Sequence, residues 1–202
     1  VPKMTGARIP EIPEGYSFDY INAEVIINRL SVKNGRLVLP DGMSYELMVL
    51  PPLDNMRPEV LSRIKDLVSQ GAAVYGPPPK KSPGLQNYPQ ADKEVKTIAS
   101  ELWGDPEGSG SKKGRSLSGN VFNGIDLQST LNKLEVLPDV SFKDKVPVLW
   151  IHRRLDDIDI YFLTNQSDTV VNFSATFRTV GKQPELWDAV NGAIRDLPAF
   201  ST

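Results

Sequence analysis

The residues of this chain that could do chemistry are few, and each has a plainer competing role. Asp156 and Asp157 are adjacent, with Asp159 two positions on, and Asp92 and Glu94 fall on one turn of an amphipathic stretch. Inverting hydrolysis of a glycosidic bond needs one carboxylic acid and one carboxylate base roughly 6.5–9.5 Å apart. "DD" between two β-rich runs is most simply a hairpin turn, and the 92–94 pair a solvated helix face. A calcium site wants roughly six to eight oxygens around a turn glycine, a pattern that "DDID" lacks.

The single histidine, His152, stands beside Arg153 and Arg154 in a β-rich run. One imidazole excludes any site built on two, and a lone strand histidine is better read as a hydrogen-bonded packing residue than as an acid–base group. The absence of cysteine excludes disulfides, thiolate metal sites and a cysteine nucleophile. A serine nucleophile would need a G-x-S-x-G elbow after a strand, and "GSGSKKG" has the wrong spacing with no strand before it. No cofactor and no metal are therefore expected. Trp103, Trp150 and Trp187 could stack on a sugar ring. Trp103 ends a helical stretch and Trp187 sits in a strand, so core or interdomain packing is the stronger reading.

The loop "YGPPPKKSPGL", residues 75–85, leaves the carboxyl end of a strand, where open α/β sheets bind ligands. Its three consecutive prolines fix φ and offer no amides for a phosphate, so it reads as a rigid bracket with Lys80 and Lys81 solvated. "EGYSFDYIN" is expected at the same strand end. That makes Asp19, Tyr20 and Asn22 the candidates for polar contact with a substrate or a neighbouring domain, against helix capping by Asp19. His152 is the fourth candidate.

The elements that must carry these residues are set by composition and period. At 202 residues, 40% hydrophobic and 24% charged, the chain can bury one sizeable core, or one medium and one small. A formal charge of −2 and no arginine-rich run argue against nucleic acid as a partner. No apolar stretch reaches the roughly 20 residues that span a bilayer, so no membrane partner is expected. Residues 18–30 place Tyr20, Ile21, Val25, Ile26 and Leu30 on one helical face, capped by Asp19 or Ser17. "RLVLP" and "YELMVLP" are strands ended by prolines. Residues 57–71 form the clearest helix, with Pro58 in its first turn and Gly71 beyond its end. "AAVYG" is a strand, 91–104 a second amphipathic helix, "RSLSG" a weak strand and 126–134 a short helix. Such alternation predicts a parallel sheet with helices on both faces. From about residue 146, β-branched and aromatic residues alternate, "DD" and "NQSD" are turn formers, and Asn191-Gly192 signals a hairpin. We divide the chain into an α/β domain, 1–142, and a small antiparallel β unit, 143–202, with the boundary near 139–147.

Taken together, "FDYINAEVIINRLSVKNGRLVLPDGMSYELMVLPP", "GPPPKKSPGLQNYPQADKEVKTIASELWGD" and "WIHRRLDDIDIYFLTNQSD...QPELWDAVNGAI" resemble the C-terminal part of large bacterial glycoside hydrolases related to the α-L-rhamnosidases of family 106. The resemblance implies a flavodoxin-like, amidotransferase-like domain followed by an incomplete β-sandwich. It implies a catalytic (β/α)8 barrel elsewhere in the same polypeptide as the main partner, and a periplasmic or extracellular location. By that likeness this chain is a non-catalytic accessory region supporting the barrel or its oligomer. The alternative is a carbohydrate-binding module touching sugar directly. A doubly wound sheet of this kind begins with a strand before residue 18, yet "VPKMTGARIPEIPEG" contains none. The expected gap would be closed by rearrangement, by a C-terminal strand, or by a homo-oligomeric strand swap.

Overall fold

The computed structural model describes residues 10–104 and 120–201. These fall into two compact units: Phe18–Val136 belongs to the first, while Glu14–Ser17 and Leu137–Thr202 make the second. The division falls after Val136 where the sequence suggested 142/143, because Val140–Phe142 is already paired within the second unit.

In the first unit, α1 (Ala23–Asn28) begins where the Asn22 side chain accepts from the Val25 amide at 3.0 Å. This corrects the sequence reading of 18–30. The better cap lies at Asn22, so Tyr20 and Ile21 stay outside the helix and are 72% and 41% exposed. Next come β1 (Ser31–Lys33) and β2 (Arg36–Val38), an antiparallel pair turned by Asn34 and Gly35, both at positive φ (52° and 77°). Two left-handed residues in succession define the type I′ turn that matches strand twist. A short β3 (Ser44–Tyr45) adds to β2.

The parallel sheet follows. Its strands are β4 (Leu47–Val49), β5 (Ala73–Tyr75) and β6 (Val121–Phe122), hydrogen-bonded in that order. Leu47 pairs with Ala73, and Val74 with Val121. β6 lies just beyond "RSLSG", residues 115–119, which are outside the described residues. Because the three strands pair consecutively, the gap anticipated from the sequence separates none of them. The connecting helices are α2 (Pro58–Ser69), α3 (Gln90–Trp103) and α4 (Leu127–Lys133), with α1 packed on α2 and α2 on α3.

Their apolar stripes make the core. Leu61, Ile64 and Leu67 of α2, Val95 and Leu102 of α3, and Val74 of β5 are essentially inaccessible to water. Met48, Leu50, Ile26, Leu30 and Leu37 join the same cluster. Each such side chain contributes roughly 1.5–3 kcal/mol by leaving water, so this cluster holds the strand ends from which the loops emerge.

The second unit is antiparallel throughout. β7 (Val140–Phe142) pairs with β10 (Ala175–Phe177), and β8 (Val148–Leu155) with β9 (Ile158–Asn165) through the Asp156-Asp157 turn, Asp156 having φ 49°. β11 (Glu185–Trp187) and β12 (Ile194–Asp196) form a third ribbon. Asn191-Gly192 does sit in its turn, but within a longer connection organised by Asp188, whose side chain accepts from the Val190 and Asn191 amides. The β8–β9 ribbon is two-faced. Leu149, Ile151, Leu155, Ile158, Ile160 and Phe162 on one side are 42–61% exposed, while Trp150, His152, Tyr161 and Leu163 on the other are half-buried.

Candidate functional site

Strand alternation decides where His152 points. The two-residue turn at 156–157 sets the ribbon register so that His152 lies opposite Tyr161, and both rings fall on the half-buried face. They stack at 4.2 Å between centroids with 3° between planes, and Phe177 of β10 lies 4.7 Å beyond Tyr161.

Two carboxylates hold the imidazole. Nδ1 is 3.1 Å from Asp139 Oδ1 and Nε2 is 2.9 Å from Asp159 Oδ1. Each carboxylate also has a cation: Arg178 donates to Asp139, and Lys182 to Asp159. The Ser17 amide donates to the second Asp139 oxygen at 3.3 Å. Gly15 brings that segment in, since its carbonyl accepts from the Asp139 amide at 2.7 Å. Only glycine suits this place: φ is +87° and a Cβ would lie 2.3 Å from the Val140 carbonyl oxygen.

The charges follow from these neighbours. Burial pushes Asp139 upward, but the hydrogen bond and charge of Arg178, with Ser17 and His152, outweigh it and hold the carboxyl below its ordinary value. For Asp159, burial is likewise outweighed by Lys182 and His152. Tyr161 is pushed up to about 12, by burial first and then by the charges of Asp139 and Asp159. Its hydroxyl is buried and, among the described residues, makes no well-formed hydrogen bond: the nearby Arg178 amide, which lowers its pKa a little, donates to the Asp139 carbonyl at 2.9 Å instead.

The network Arg178–Asp139–His152–Asp159–Lys182 is thus a hydrogen-bonded chain, with both carboxylates held below their ordinary pKa, that ties the start of β7, β8 and β9 to residues 178–182. A general acid needs a carboxyl held neutral by a raised pKa, the reverse of what these two aspartates experience. The carboxylates address opposite ring nitrogens, and among the described residues no group of three or more His, Cys, Asp or Glu side chains could hold a metal.

Asp19, Tyr20, Asn22 and Trp103 lie in the first unit and do not join this network. Asp19 accepts from the Tyr45 hydroxyl at 2.9 Å, so it ties the entry segment to β3 instead of capping α1. Tyr20 packs edge-on against Phe18, and Asn22 is the helix cap. Trp103 is half-buried against the core with Nε1 donating to the Gly76 carbonyl at 2.8 Å. Trp187 departs from the packing expectation: it is 69% exposed, its Nε1 donating to Glu185 at 2.9 Å. Sequence reading missed Asp139, Tyr161, Arg178 and Lys182 as one cluster. The turn at 156–157 carried the register that pairs His152 with Tyr161; nothing local announced Asp139 or Arg178, which arrive through the β7–β10 pairing.

Residues 1–201 match the sequence family Glyco_hydro_106, described as alpha-L-rhamnosidase. The chain belongs to glycoside hydrolase family 106. It is 35% identical over 192 residues to a Formosa agariphila protein named "Putative beta-glucuronidase", covering 95% of this chain and 15% of that protein. It also resembles the solved structure of a rhamnosidase from Novosphingobium sp. PP1Y, with a TM-score of 0.78 and 31% identity over 92% of this chain and 18% of that one. The family 106 chain described here therefore spans less than a fifth of the length of these relatives.

Proposed function

We propose that this chain is a non-catalytic accessory region of a larger carbohydrate-degrading glycoside hydrolase, supporting the catalytic barrel or its oligomer. The observation that carries this is the match of 92% of the chain to only 18% of a solved rhamnosidase. The His152 network agrees with it, because its aspartates are held ionised by their cations and its imidazole is fully engaged. In this reading the first unit is a flavodoxin-like, doubly wound domain, and the second is part of a β-sandwich whose remaining sheet covers the apolar face of the β8–β9 ribbon. The family assignment supports a periplasmic or extracellular location, and homo-oligomerisation or strand exchange are the remaining partners.

A second reading, direct contact with carbohydrate, is favoured by one observation: Trp187 is 69% exposed and could serve as a stacking face. The test of the first reading is a comparison in the parent enzyme of Asp139→Asn and His152→Gln with the unaltered protein. We expect faster heat inactivation with kcat and KM for an aryl α-L-rhamnoside kept within about twofold. A fall in kcat of roughly a hundredfold or more in a folded variant would assign these residues to the reaction.

A further inference from the structure

We infer that the cleft under residues 81–92 is a binding site for a neutral oligosaccharide. This rests on the carbohydrate-contact reading and moves its locus from Trp187 to the loop that leaves β5.

The cleft is an open groove of about 360 Å³ lined by Asn55, Lys81, Ser82, Leu85, Tyr88 and Asp92, among others. That is near the lower end of small-ligand sites, which run about 300–1,000 Å³. Its loop, residues 76–89, leaves the carboxyl end of a parallel strand, β5, the end where open α/β sheets hold ligands. Its walls are fixed before any ligand arrives. The Lys80 and Lys81 amides donate to the Asp54 carbonyl at 2.7 and 3.2 Å, and the Lys81 carbonyl accepts from Met56 at 3.0 Å. The Ser82 amide donates to Asp92 Oδ1 at 2.9 Å, which locks the loop to the first turn of α3. The bracket expected from its prolines is thus also a rigid wall, and rigidity lowers the entropy lost on binding.

The free groups define the ligand. Tyr88 is 63% exposed and Leu85 84%, giving an aromatic face and an apolar neighbour for the C–H side of a pyranose. The Lys81 ammonium, the Asn55 side chain and Asp92 Oδ2 have no partner among the described residues, and together they offer donors and acceptors to ring hydroxyls. Lys81 disfavours a cation and Asp92 an anion, so a neutral polyhydroxylated ligand is selected.

The test is protein-observed NMR of the 202-residue chain with methyl α-L-rhamnopyranoside and methyl β-cellobioside as neutral probes and glucuronate as the anionic one. We expect saturable shifts in the amides of residues 81–92 with a neutral probe. Affinity should fall roughly tenfold in Tyr88→Ala and measurably in Lys81→Ala, with Trp187→Ala unchanged. Both cleft substitutions are on exposed side chains, and unperturbed spectra elsewhere establish that they fold. Binding lost in Trp187→Ala but kept in Tyr88→Ala overturns the cleft and leaves the carbohydrate reading standing. Preference for glucuronate overturns the neutral-ligand assignment. No binding of any probe to the unaltered chain overturns the cleft and the carbohydrate reading together.

Discussion

Asp139→Asn removes a charge that Arg178, His152 and the Ser17 amide share, while leaving the size of the side chain unchanged. Hydrogen bonds to charged groups contribute about 1.5–3 kcal/mol when sheltered. The sheltered contact here is with His152, since the two side chains are 9% and 13% exposed. Arg178 is 43% exposed, so its share is discounted to under about 1 kcal/mol. Asparagine keeps one acceptor oxygen, and the net loss comes to about 2 kcal/mol. For a unit of this size that lowers Tm by roughly 8–16 °C. Trp150, two residues along β8 from His152 and on the same face, reports the transition by fluorescence. The sign with pH follows from the depressed carboxyl. The stabilisation is present above the unfolded value of 3.8 and is lost as pH falls through the lower folded value, so the variant loses this part of the acid limb. A folded variant whose Tm moves by less than about 2 °C would refute the idea that the network clamps this unit.

Tyr161→Phe removes a buried hydroxyl that makes no well-formed hydrogen bond among the described residues and should leave stability unchanged or raise it by up to about 1 kcal/mol in urea denaturation. In the unaltered chain Tyr161 should ionise near 12, read by ultraviolet absorbance; stability is full below its ordinary value of 10.0 and falls as pH rises toward 12, and the Phe variant should lack that component. Gly76→Ala should cost about 1–3 kcal/mol, because φ is +141° and the added Cβ would sit 2.8 Å from Leu50 Cβ. Asn22→Ala should cost about 1 kcal/mol through loss of the α1 cap, whereas Asp19→Ala should leave α1 intact, measured by chemical denaturation and amide exchange.

Legibility in the sequence followed the range of the interactions. α2 was readable because its stripe Val60, Leu61, Ile64, Leu67 and Val68 and its terminators Pro58 and Gly71 are all local signals. The Asn34-Gly35 hairpin was equally local and went unread, although it is the turn chemistry that Asn191-Gly192 was credited with. α1 was overextended because Asp19, Ser17 and Asn22 are all competent caps, and the choice fell to the tertiary bond between Asp19 and Tyr45. β6 has two residues, and only its pairing with β5 makes it a strand. For the site, His152 was visible as a lone imidazole, but its meaning depends on Asp139 and Arg178, which the β7–β10 pairing brings in from distant sequence.

The most direct measurement is release of the aryl group from a chromogenic α-L-rhamnoside by the purified 202-residue chain. The account predicts no release above the uncatalysed background at any protein concentration. Release proportional to protein and abolished by a single carboxylate change, such as Asp156→Asn or Asp92→Asn, would contradict it and make this region an enzyme in its own right.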